Sequence, residues 1–400
     1  MNKYFIALAA LLLCTQARAE SQPASGRDAA ARANTISVSF HRKVSAKPGN
    51  IFFSPYSLYS AFAMAYDGAR GTTAAEMRKV FGFPDDRNAL RREFGIMRGE
   101  LAKSAGSTEF SQANALWYQK DHNFLKDYTA ALENFYSASA EAADFKQNPE
   151  LVRRTVNSWA AGRTKGRIPE IFAHGALTND TKLVLANAVY FKGKWKAQFG
   201  KKDTTDQDFT LLSGRKIKAS LMASPGAIAI KYYENEQFQA AALPYAGGDM
   251  DMLVILPKPG KSFSLVEKNL SAEMISAVRA GLRGKNAKVF LPRLQFSREW
   301  DLGPELSAMG MPQAFDDSAD FSGMNGKKEL IIQKAVQKAF VEINEEGTEA
   351  AAVTAIAMMP GSARMQDPVV FRADRPFIFL IEDSRTGLIL FMGRMVAPPQ

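Results

Sequence analysis

The chain has 400 residues, 46% of them hydrophobic, with 27 Phe, one Cys and a formal net charge of +10. Length and apolar content permit a large core without cross-links, and the single cysteine excludes a disulfide framework and a Cys-based zinc site. The basic excess is moderate and spread along the chain, which argues against a nucleic-acid-binding stripe.

Met1-Asn2-Lys3 is a short basic start, residues 4–14 are apolar, and Ala17-Arg18-Ala19 has the form of a cleavage site. Residues 1–19 therefore read as a secretory signal peptide. The apolar run is too short to span a bilayer, and Leu13 stands where lipid attachment at Cys14 needs a small residue. The expected product is secreted, to the periplasm or the exterior, and free of cysteine; loss of Lys3 and Arg18 takes its charge from +10 to +8. Residues 21–32 are a polar lead-in to a first helix over 31–45, and Pro55 precedes a buried helix over 57–66. Thr73-x-x-Glu76 is a capping-box pattern that predicts a helix running to about Val80. Arg87, Arg91, Arg92, Arg98 and Lys103 share the next predicted helix, where a solvated face outweighs a polyanion site. Buried strands are predicted over 110–119 and 182–191, with a helix over 149–163 between them. Further strands are predicted over 250–256, 330–343, 377–381 and 387–392. No repeat or composition break appears, so residues 20–400 are expected to form one α+β domain.

Catalytic motifs are scarce. His41, His122 and His174 lie in no metal-ligand spacing, and no G-x-S-x-G elbow is present. Gly260-Lys261-Ser262 resembles the end of a phosphate loop, but Ile255 occupies the place of the first glycine. Nothing nominates a nucleophile and base, so no enzyme activity, metal, cofactor, nucleic acid or membrane partner is expected, and the protein is expected to be a monomer.

The informative stretch is Glu345 to Pro368. Gly347 supplies a pivot, and the twelve residues from Thr348 to Met359 contain no Pro or Gly and one charge, Glu349. As a strand with Thr348 inward, the segment would bury Thr348, Ala350, Ala352, Thr354, Ile356 and Met358, and leave Glu349 and Ala351 outward. A one-residue slip would bury the carboxylate at a cost of several kcal/mol. The same composition also suits an Ala-rich helix or a surface loop.

Glu345 to Ala352 resembles the proximal hinge of the reactive loop of inhibitory serpins, and other motifs follow in the same order. Asn50-Ile51-Phe52-Phe53-Ser54-Pro55-Tyr56-Ser57 is similar to the family's entry to its second helix, and Asn114-Ala115-Leu116-Trp117 to its central-strand motif. Asn157-Ser158-Trp159 through Thr164-Lys165-Gly166-Arg167-Ile168 resembles the helix across the main sheet. The run from Leu185 through Asn187 to Lys194-Trp195 resembles the strand beside the opening. Leu243-Pro244-Tyr245, Leu291-Pro292-Arg293 and Phe391-Met392-Gly393-Arg394 complete a likeness covering about residues 28–398. The lack of cysteine beyond the signal and the compactness of that signal fit a bacterial exported member.

The resemblance implies three β-sheets, about nine helices and an exposed reactive-centre loop, here about 345–368. It also implies suicide inhibition of serine-type endopeptidases, and of cysteine proteases as a wider target class. Ser54, Ser57 and Asn187 match the hydrogen-bonded shutter beneath the sheet opening; Gln337 stands where most members have histidine, which puts the family's pH-linked shutter behaviour in doubt. Trp195, Arg293 and Glu345 match the breach at the top of the sheet. Counting along the loop from Glu345 ends at Gly361-Ser362 as the reactive bond, whereas counting back from Arg375-Pro376-Phe377 ends at Met365; Met358, Met359 and Arg364 are alternatives. Gly361 or Met359 implies an elastase-like or subtilisin-like target, and Arg364 a trypsin-like one. The competing expectations are a non-inhibitory carrier or chaperone and a hydrolase on an unrelated fold.

Overall fold

A computed structural model describes residues 25–106, 108–347 and 367–398. Its strands are β1 (Ile51–Phe53), β2 (Glu109–Gln119), β3 (Ser139–Ala143), β4 (Leu183–Lys192), β5 (Thr205–Thr210), β6 (Lys216–Ala223), β7 (Ile228–Glu234) and β8 (Phe238–Pro244). They continue as β9 (Met250–Pro257), β10 (Arg283–Pro292), β11 (Leu294–Asp301), β12 (Lys334–Ile343), β13 (Val369–Arg372), β14 (Phe377–Asp383) and β15 (Leu388–Met395).

Five of these strands form the sheet that positions the candidate site, in the order β11-β12-β4-β2-β3. Its two central strands, β12 and β4, run parallel with Gln337 opposite Asn187, and β2 lies antiparallel to β4 with Asn114 opposite the same Asn187. The continuous apolar character of β4 follows from burial on both faces. Leu185, Val189 and Phe191 enter the main core, whereas Val184, Ala186, Ala188 and Tyr190 pack in a second cluster with Val152, Val156 and Ala160 of the helix Pro149–Arg163. Successive residues thus serve opposite faces, and the strand has no solvent side on which to carry polar residues.

The remaining strands form one hydrogen-bonded path, β1-β15-β14-β9-β8-β7-β10-β6-β5, with β13 on β10. The reading of three sheets meets a physical continuity here: β10 pairs with β7 through Arg283–Ala287 and with β6 through Phe290–Pro292, so one long strand belongs to two sheets. Eleven α-helical segments occur among the described residues. Counting the interrupted first pair as one and leaving out the single turn Ser322–Asn325 gives the nine expected.

Two local expectations need correction. The first helix is divided into Gly26–Ala33 and Thr35–Val44, because the Asn34 amide donates to Gly387 O and accepts from Ile389 N, which pins that residue to β15. The helix Gly71–Phe81 has no capping box: Arg70 is its N-cap, Thr73 Oγ1 accepts from Asp320 N, and Glu76 accepts from Gln313 N. Both side chains that match the motif are taken by tertiary partners.

The helix Pro55–Gly68 is buried along its whole length between the two sheets, as its Ala, Phe and Met content predicts. Pro55 at its first turn supplies the right φ, and the Ser54 hydroxyl caps it by accepting from Ser57 N at 3.2 Å. The helix Arg87–Ser104 carries the basic cluster, which is less solvated than its sequence implies. Arg91 makes a two-bond pair with buried Asp67, and Arg87 lies 4.6 Å over the Tyr66 ring while donating to Ala69 O.

Candidate functional site

Beneath the central strands, six buried side chains meet in one hydrogen-bonded network. Gln337 is its hub: Oε1 accepts from Ser54 N at 2.8 Å, and Nε2 donates to Ser54 O at 3.0 Å and to Asn187 Oδ1 at 2.9 Å. Asn187 Nδ2 donates to Ser57 Oγ at 3.1 Å and to Asn114 Oδ1, and Asn114 Nδ2 donates to Ser60 Oγ at 3.0 Å. The Ser54 hydroxyl donates onward to Leu390 O of β15. One amide therefore ties β12 to β4 and both to the N-terminus of the buried helix. It uses one acceptor and two donors, a set that neutral imidazole cannot supply. None of the six side chains titrates near neutral pH.

Sequence reading grouped Ser54, Ser57, Asn187 and Gln337, and the structure brings all four together. It missed Asn114 and Ser60 as members. Their signal was register: Asn114 lies opposite Asn187, and Ser60 is one helical turn beyond Ser57.

A second cluster closes the upper end of β12. Its last residues turn at Gly347, whose carbonyl accepts from Asn344 N at 2.8 Å and whose N–H donates to Asn344 O at 3.1 Å. Gly347 has φ +115°, and a Cβ there would lie 2.2 Å from Gly193 O and 2.5 Å from Lys194 Cα. Both conformation and space therefore demand glycine. Trp195 Nε1 donates to Asn344 O at 2.9 Å, Trp195 N donates to Glu346 O, and the indole stacks on Tyr245 at 4.6 Å.

Glu345 is 3% exposed. Its carboxylate accepts from Arg293 Nε at 2.9 Å and from the Thr204 hydroxyl, while its carbonyl accepts from Phe199 N. Burial pushes the Glu345 carboxyl up, but the hydrogen bonds from Arg293 and Thr204 outweigh it and hold the group below the usual carboxylate range. The adjacent Glu346 pairs with Lys201. Trp195, Arg293 and Glu345 are thus assembled as the sequence groups them; Thr204 and Lys201 are additions whose signal is purely spatial, and Tyr245 belongs to a sequence motif that the structure joins to this cluster.

Thr348, Glu349, Ala350, Ala351 and Ala352 of the hinge lie outside the described residues, as do Met358, Met359, Gly361, Ser362 and Arg364 of the bait and the signal peptide. Of the histidines, His41 is buried against Glu267, which also pairs with Arg394; His122 contacts Glu329; and His174 is exposed. Two polar clusters thus bridge the parallel seam between β12 and β4 and its upper end, and a glycine turn at Gly347 follows β12.

The Serpin (serine protease inhibitor) family profile matches residues 31–398. An uncharacterised serpin-like protein of Thermococcus kodakarensis is 40% identical over 367 residues, covering 91% of this chain and 84% of its own. Leukocyte elastase inhibitor A of Rattus norvegicus is 37% identical over 368 residues, covering 90% and 96%. Among solved structures, a serpin of the insect Tenebrio molitor, described as highly specific, superposes with a TM-score of 0.81 at 27% identity, covering 93% of this chain and 98% of its own.

Proposed function

The chain belongs to the serpin family, and we propose that it is a secreted suicide inhibitor of serine proteases, with elastase-like or subtilisin-like enzymes as the favoured targets. In this reading a protease serine attacks a bait carbonyl, the peptide bond breaks, and an ester joins the enzyme to the new C-terminus. The segment from Thr348 then enters the main sheet between β12 and β4. Reversing at Gly347, it runs antiparallel to β12 and therefore to β4, so one parallel pairing gives way to two antiparallel ones. Antiparallel pairing is the more stable per residue. That gain, with the new backbone hydrogen bonds, offsets the opening of the network at Gln337 and Asn187.

Twelve inserted residues carry the ester-linked enzyme roughly 40 Å at about 3.3 Å per residue. A displacement of about 1 Å within a catalytic site already costs about a hundredfold in rate, so deacylation stops. The observation that carries the reading is the seam itself: a closed parallel pair beside a glycine turn, followed in sequence by a segment whose inward positions are all small or uncharged. Ser54, Ser57, Asn187, Gln337 and Asn114 act as the seam's latch, and Trp195, Arg293 and Glu345 as the point where it opens.

Mixing the protein with elastase, subtilisin and trypsin and resolving the products on denaturing gels tests the proposal. The expected result is a covalent band near the summed mass with at least one protease, and mass spectrometry of the released C-terminal peptide locates the bond, expected at Gly361-Ser362. Cleaved product alone with all three would instead mark a non-inhibitory relative. The N-terminal residue of the exported protein tests secretion; Glu20 is expected.

A further inference from the structure

A groove of about 250 Å³ runs along β11, bounded on its far side by the loop 48–50. Gln295, Phe296, Ser297 and Arg298 all line it. Successive strand residues point to opposite faces, so four in a row share one groove only along the edge of the strand. β11 ends its sheet and pairs with β12 alone among the described residues, so that edge carries unpaired backbone N–H and C=O groups. The floor is apolar: the buried Phe52 and Phe296 rings stack at 5.7 Å. The volume lies below the roughly 300–1,000 Å³ of drug-sized sites, so a ligand here is small.

Arg298 is the one charged residue of this lining, and its guanidinium makes no hydrogen bond or ion pair among the described residues. It is nevertheless held in place. The guanidinium lies 4.9 Å over the buried Trp300 ring, and the indole is itself anchored by a 2.8 Å donation from Nε1 to Phe52 O. Stacking occupies a face of the guanidinium and leaves its N–H groups, which lie in the plane, open to an acceptor. The acids that follow in sequence are already engaged: Glu299 pairs with Lys338, Asp301 with Lys334 and Glu305 with Lys47. The Gln295 amide and the Ser297 hydroxyl make no hydrogen bond among the described residues either, so neutral donors and acceptors flank the cation.

We propose that this groove binds a small hydroxylated monocarboxylate, its carboxylate on the Arg298 guanidinium and its hydroxyls on Gln295, Ser297 and the free edge of β11. A planar carboxylate matches the guanidinium fork, and its single charge matches the single cation. A phosphate dianion would leave one charge uncompensated. The site is independent of the inhibitory reading, since it requires neither bait loop nor sheet opening.

Saturation-transfer-difference NMR titration of the full chain with D-gluconate tests this, with the neutral polyol D-glucitol as control and inorganic phosphate as competitor. Saturable binding is expected, with gluconate held at least tenfold more tightly than glucitol and displaced by phosphate only at a concentration at least tenfold above its own. Arg298→Gln is expected to remove the advantage of gluconate over glucitol. Ser297→Trp, on an exposed strand position that favours aromatic residues, is expected to fill the groove and abolish the signal of both probes, with the melting temperature of the wild type. No saturable signal, equal affinity for gluconate and glucitol, displacement by phosphate at or below the gluconate concentration, or undiminished gluconate binding by either variant would each overturn the assignment.

Discussion

Replacing Gln337 by leucine removes the hub of the latch while keeping a side chain of similar length. Three hydrogen bonds disappear, but their consequences differ. Ser54 O keeps a partner in Leu58 N, whereas Ser54 N and Asn187 Oδ1 are buried and bond to Gln337. Two orphaned buried groups at about 1–3 kcal/mol each give a destabilisation of about 2–6 kcal/mol. With an m-value of about 3 kcal/mol/M, the urea midpoint should fall by about 0.7–2 M. Gln337→His separates hydrogen bonding from size. Neutral imidazole accepts from Ser54 N and donates to one of the two oxygens, so the loss near pH 8 should be smaller than for leucine. Protonation removes the acceptor and adds charge to a buried site, so the folded-state histidine pKa lies below its unfolded value of about 6.5. The unfolded chain then binds more protons, and the variant's stability is fully present above about pH 6.5 and eroded as pH falls below it. Urea midpoints for wild type and both variants between pH 5.5 and 8 check this. Equal midpoints for wild type and Gln337→Leu, or a pH slope in the wild type matching that of Gln337→His, would refute the assignment of the hub.

Thr348→Arg places a charge on the inward face of the inserting segment, and the ratio of cleaved product to covalent complex should rise at least tenfold by gel densitometry. The Glu345 carboxyl is held below its ordinary value of 4.5, so its contribution to stability is present above that pH and lost as pH falls through the lower folded value. Thermal unfolding between pH 3 and 5 should show that dependence weakened in Glu345→Gln. Gly347→Val meets both a positive φ and the Gly193 carbonyl; differential scanning calorimetry should show a lower melting temperature than in Gly49→Val, where φ is also positive but the space is open.

What was legible in sequence followed from burial on two sides. β4 and the helix Pro55–Gly68 have no solvent face, so their composition announces them. β10 is the opposite case: Arg283, Lys285 and Lys288 face solvent, and it can be recognised as a strand shared by two sheets only from its partners. Thr73 and Glu76 carried a true local pattern that Asp320 N and Gln313 N override. In the latch, Ser54, Ser57 and Asn187 were found by likeness, while Asn114 and Ser60 became visible once strand register was known. Thr204 and Lys201, more than a hundred residues before Glu345 and Glu346, have no sequence signal of their own.

The latch also dictates an order of assembly. Its bonds join residues 54, 57, 60, 114, 187 and 337, and the Ser54 hydroxyl ends on Leu390, a separation of 336 positions. A chain emerging from N-terminus to C-terminus cannot complete this network until its last strand exists. Contacts of such long range are made slowly, because chain closure precedes any reward. The protein therefore remains unlatched through nearly all of its synthesis, and a chain truncated before β15 would lack the partner that fixes the Ser54 hydroxyl.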